Sequence, residues 1–168
     1  MNRNLTFFRY FAYSILIILF LVLQSTPNLM PEIFGSKPLL LVATALCIAS
    51  KEDKIPSLIF GAVCGVLTDI ATGGSIGFFA FFLTLICYAE AHIFSTYFAS
   101  NIISVMIVGV ITVPILIFFY FLIFIAFAGV PNCWIHFANH YISRIVYTFL
   151  MIIPLHYLYG FLYRNLSE

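Results

Sequence analysis

Gly61-Ala-Val-Cys-Gly65-Val-Leu-Thr-Asp69-Ile-Ala-Thr-Gly73-Gly-Ser-Ile-Gly77-Phe-Phe-Ala80 joins two membrane-length apolar stretches near the middle of the chain. Residues 61, 65 and 69 are four apart, so on a helix two glycines and a carboxylate share one stripe. An aspartate near the end of a lipid-buried helix is expensive unless it faces protein. Glycines on the same stripe let a neighbouring backbone approach and turn that carboxylate inward. Gly73 to Gly77 then make a tight turn into the next helix, with Ser75 expected to cap it.

Working outward, the whole chain has the same character. Of its 168 residues 64% are apolar and 8% charged, and mean hydropathy is +1.14. A soluble domain does not have that mix. The net charge of +1 supplies no basic field for nucleic acid. Cys47, Cys64 and Cys87 fall in apolar runs, where a thiol acts as a small hydrophobe, and Cys133 falls in a loop. No CxxC or Cys/His spacing suggests a metal, and no cofactor is expected.

Six spans are expected, over residues 7–23, 38–50, 55–71, 76–94, 102–127 and 142–162, forming one membrane-embedded domain over residues 1–168. The second is short enough to be partial or re-entrant. The first is expected to act as an uncleaved signal anchor, because no small-x-small cleavage pattern follows it. Pro114 and Pro154 fall inside the fifth and sixth spans, where each removes a backbone donor and is expected to mark a kink. With the N-terminus inside, Arg3, Arg9, Lys51, Lys54 and Arg164 are cytoplasmic, and Lys37 and Arg144 external. That excess of inside cations puts both termini in the cytoplasm.

Depth then suggests polar pairs. Asp69 lies roughly 21 Å from the start of its span at Ile55. Arg144 opens the sixth span from the same, external side, so an Asp69–Arg144 pair would relieve two desolvation costs. Glu90 and His156 both fall toward the cytoplasmic side and form a second candidate pair. Gly73-Gly74-Ser75-Ile76-Gly77 formally fits G-x-S-x-G, but that elbow needs a strand-to-helix turn and no sheet is expected. His156, the available base, falls at the opposite depth from Ser75, too far for proton transfer. His136 and His140 have metal-binding spacing, yet beside Trp134 and Phe137 they suit an interfacial segment better. No enzyme chemistry is expected.

The run from Gly61 to Ala80 resembles the central motif of the rod shape-determining protein MreD family. That family shows a glycine-spaced helix ending Gly-Leu-x-x-Asp-Leu, a short Ser/Gly turn, and Leu-Gly opening the next helix. Leu23-Gln24-Ser25-Thr26 and Lys37-Pro38 are similar to runs the family has at these places. Val66 and Ile76 stand where the family often has Leu. The resemblance covers residues 10–95 in order, and residues 96–168 in length and hydropathy alone. It implies a non-enzymatic subunit of the bacterial elongation machinery in the plasma membrane. Such a protein binds MreC directly, and through it MreB, the glycan polymerase RodA and a class B penicillin-binding transpeptidase. Gly61, Gly65, Asp69, Gly73, Gly77 and Arg144 would then serve helix packing within a bundle.

The expected architecture is an all-α polytopic membrane bundle, similar to the folds of transporter S-components. The alternative function is accordingly that of a vitamin-binding S-component of an energy-coupling factor transporter. Those proteins usually have a longer loop after the aspartate, and Ala-x3-Ala patterns on the first span. Here the loop is minimal and the stretch Phe11–Leu23 has only Ala12.

Overall fold

The computed structural model describes residues 3–26, 37–73, 77–96, 101–123 and 142–167. Among these the chain is all helix: α1 (Arg3–Ser25), α2 (Leu40–Ala49), α3 (Lys54–Thr72), α4 (Phe78–Thr96), α5 (Ile102–Phe121) and α6 (Ile142–Ser167). Five of the six are long and apolar enough to cross a membrane, α2 being the exception. Residues 124–127 of the expected fifth span and the 128–141 segment, with Cys133, His136, Asn139 and His140, lie outside the described residues, as does Ser75. Pro114 and Pro154 both fall within continuous helices, α5 and α6.

The short α2 is the axis of the bundle. Its mean composition is apolar all round, and all ten of its residues are buried. A helix without a polar face belongs in the middle of a protein, and ten residues rise only about 15 Å, half a hydrocarbon core. Its first N–H groups have no intrahelical partner and are met by neighbouring helices. Leu39 N–H donates to Thr148 Oγ1 of α6 at 3.0 Å, and Leu41 N–H to Gln24 Oε1 of α1 at 3.2 Å. Ser50 Oγ then donates to the Cys47 carbonyl at 2.8 Å, tidying the other end.

The long helices surround α2 and divide into inner and outer faces. On α1, Arg9, Tyr13 and Ile17 are buried at four-residue intervals, while Phe7, Phe11, Ile15, Ile18 and Val22 are exposed. That outer stripe suits lipid, which solvates apolar side chains as well as a core does. Packing inside therefore depends on close fit. Tyr13 meets Phe60 of α3 and Tyr159 of α6 edge to face, at centroid distances of 5.8 and 5.3 Å, a favoured aromatic geometry. The most extensive helix pairing is α3 with α4, and it contains the candidate site.

Candidate functional site

The glycine stripe lies against the backbone of α4. A Cβ added at Gly65 would stand 2.5 Å from Ala80 Cα, 2.6 Å from the Phe79 carbonyl oxygen and 2.7 Å from Ala80 N. One added at Gly61 would meet Cys87 Cβ at 2.9 Å, Cys87 Sγ at 3.0 Å and the Leu83 carbonyl oxygen at 3.1 Å. The two glycines thus let α3 and α4 touch main chain to main chain. At the end of the stripe Asp69, 2% exposed, reaches across to the start of α4. Its Oδ2 accepts from Gly77 N–H at 2.9 Å and Ala80 N–H at 3.1 Å, and its Oδ1 from Phe79 N–H at 3.0 Å.

This arrangement explains how a carboxylate is kept inside a membrane helix pair. The first turn of α4 leaves N–H groups without intrahelical partners, and its dipole favours negative charge there. Asp69 caps three of those donors from the neighbouring helix, so the capping task expected of Ser75 is carried, at these three amides, by Asp69. The turn between the helices depends on backbone geometry. Gly73 ends α3 with φ 63° and Gly77 precedes α4 with φ 113°. Both values lie in the left-handed region that a side chain disfavours, while neither position is short of space.

Arg144 lies at the same end of the molecule. It lines a small cleft of about 330 Å³ with Gln24, Lys37, Ala71 and Thr72. The second candidate pair is not formed. Glu90 is 1% exposed, beside Cys47 and Cys87. Neither of its oxygens has a hydrogen-bond partner among the described residues, nor has His156 Nδ1. His156 instead shares a cavity with Lys51. Similar depth in two spans does not by itself bring their side chains into hydrogen-bond contact.

The opposite end holds an ion pair that sequence reasoning did not find. Arg9 Nε lies 2.8 Å from Glu52 Oε1, and Arg9 Nη2 donates to Glu52 Oε2 at 2.9 Å, with both side chains more than nine-tenths buried. Burial pushes the Glu52 carboxyl above its usual range, and the Arg9 guanidinium beside it pulls the other way. The guanidinium also stands over the Tyr163 ring at 4.8 Å, a cation–π contact joining α1 to α6. Arg9 and Glu52 are 43 residues apart. The available signal was an arginine inside the first apolar run and a charged turn assigned to the same side.

Helices of this length and apolarity, packed around a buried short helix, define a polytopic helical membrane protein. Its polar motif joins α3 to the start of α4 through the Asp69 hydrogen bonds. The chain belongs to the rod shape-determining protein MreD family, whose model matches residues 3–166. The match thus runs through the C-terminal part that resembles the family only in length and hydropathy. It makes the chain a membrane protein of a family that determines rod shape. No curated protein and no solved structure matches it significantly.

Proposed function

We propose that this chain is a non-enzymatic scaffold of the cell-elongation machinery in the bacterial plasma membrane. In this reading it holds MreC directly and, through MreC, positions MreB, RodA and a class B transpeptidase for peptidoglycan synthesis. Family membership over residues 3–166 supports the shape-determining role. The observation that carries the scaffold reading is the state of Asp69. Both its oxygens are engaged by main-chain donors at 2.9–3.1 Å, which suits a fixed helix junction better than a group that must bind or react. Gly61, Gly65, Gly73 and Gly77 serve the same junction.

Depletion of the chain in a rod-shaped host should produce round cells, and MreC should co-purify with the tagged full-length protein. Retained rod shape on depletion would remove the proposal, and nanomolar vitamin binding by the purified chain would replace it with the transporter reading. An Asp69–Arg144 interaction is a further part of the proposal, supported by Arg144 lining a cleft with Ala71 and Thr72. Asp69→Asn and Arg144→Gln, made singly and together, should couple by about 0.5 kcal/mol or more. Strict additivity would count against it.

A further inference from the structure

The outward side of α5 and α6 carries a groove of about 620 Å³ lined by apolar side chains, among them Ile102, Met106, Ile107, Val110, Phe149 and Ile153. Ile102 also lines a second cavity, of about 780 Å³, together with Lys51, Asn101, His156 and Arg164. Ile153 and His156 are one turn apart on α6, so one helix face carries both the apolar and the basic part. No acidic side chain lines either cavity among the described residues.

We propose that this composite cavity binds an anionic glycerophospholipid, with its phosphate among Lys51, His156 and Arg164 and an acyl chain along the α5–α6 groove. Charge complementarity is the first argument. Basic pockets between membrane helices are suited to lipid phosphates, and here the cations converge where the apolar groove opens. The second is an unmet polar atom: His156 is 6% exposed and its Nδ1 has no hydrogen-bond partner among the described residues. Burial also pushes the Lys51 ammonium below its usual range.

The third argument is reach. From Ile102 to Ile111, the extent of the groove along α5, is nine residues or roughly 14 Å. One leaflet of hydrocarbon is about 15 Å deep. The groove therefore matches an acyl chain, whereas a partner transmembrane helix needs about twice that length. The inference goes beyond the shape-determining role and does not depend on it.

Native mass spectrometry of the delipidated full-length protein tests the site, titrating phosphatidylglycerol, phosphatidylcholine of the same acyl chains, and glycerol 3-phosphate. Phosphatidylglycerol should bind at least about tenfold more tightly than phosphatidylcholine. Each basic residue near a lipid phosphate contributes about fivefold, so Lys51→Gln with Arg164→Gln should weaken phosphatidylglycerol by about 25-fold. Lys51 is half-buried and Arg164 exposed, and Lys51→Arg with Arg164→Lys should retain binding. Val110→Trp should fill the groove and weaken both lipids. Equal affinity for the two lipids, or full affinity in the glutamine double variant, would overturn the proposal. Glycerol 3-phosphate binding as tightly as phosphatidylglycerol would reassign the site to a soluble phosphate. A Val110→Trp chain with unchanged lipid affinity but lost association with MreC would reassign the groove to a partner helix.

Discussion

At Gly65 the atoms that an added methyl would meet belong to the main chain of α4, at Ala80 and Phe79; at Gly61 two of the three nearest belong to the side chain of Cys87. The approach is also closer at Gly65, 2.5–2.7 Å against 2.9–3.1 Å at Gly61, so equal substitutions should have unequal effects. Overpacking typically costs about 1–3 kcal/mol. Gly65→Ala should fall at the upper end and Gly61→Ala at the lower, measured as thermal midpoints in detergent; the reverse order would mean that α3 and α4 do not meet as described. Asp69→Asn makes a second test. It keeps one acceptor oxygen but brings an amide N–H₂ against at least one backbone donor. Hydrogen bonds to a charged group contribute about 1.5–3 kcal/mol each, so losing one should lower stability by at least that amount, and Asp69→Leu should lower it further. The stripe 61/65/69 was legible because its four-residue spacing depends on letters alone. The main-chain donors that Asp69 meets were not, because backbone N–H groups are common to almost every residue and leave no mark in a sequence. Charge pairing reads letters alone, which is why Arg144 came forward as a partner of Asp69 and the three amides did not.

Between elements, the informative case is the tie joining α1, the α2–α3 turn and α6. Glu52 neutralises Arg9, and Tyr163 covers the guanidinium at 4.8 Å. Removing one member of a buried pair leaves the other uncompensated and costs about 3–5 kcal/mol, while replacing both with apolar residues can be nearly neutral. Glu52→Met and Arg9→Met should each destabilise the bundle strongly, and the two together much less than their sum. A double-mutant cycle in detergent reads the difference, and additive losses would show that the pair is not the tie. Helix type and membrane character were legible from apolar run length, and so was the oddity of α2, whose run is too short for an ordinary span. Its central position was not, because hydropathy cannot distinguish a helix buried in protein from one bathed in lipid. The Arg9–Glu52 pair escaped for a related reason: Arg9 was counted as a cytoplasmic cation and Glu52 was left out of a count of Lys and Arg, though the fold encloses both.

Across the whole molecule the cations divide between two ends. Arg9, with Glu52, Lys51 and Arg164 are associated with one end, through the ion pair and the basic cavity. Lys37 and Arg144 share the cleft at the other. That division is the one the count of Lys and Arg assigns to cytoplasmic and external sides, and it sets which leaflet the proposed lipid occupies. Cysteine labelling can test it, because Cys47, Cys64 and Cys87 are buried and should stay silent. In a Cys133→Ser background, Ser25→Cys marks the Lys37 end and Asp53→Cys the Lys51 end, both at exposed positions. With the positive end inside, an impermeant maleimide added to intact spheroplasts should label Ser25→Cys, and Asp53→Cys only after lysis. The reverse pattern would invert the molecule, placing the basic cavity in the outer leaflet and the Asp69 junction toward the cytoplasm. An anionic lipid could still fit the cavity chemically, but the excess of cations would then lie on the side that the charge rule disfavours.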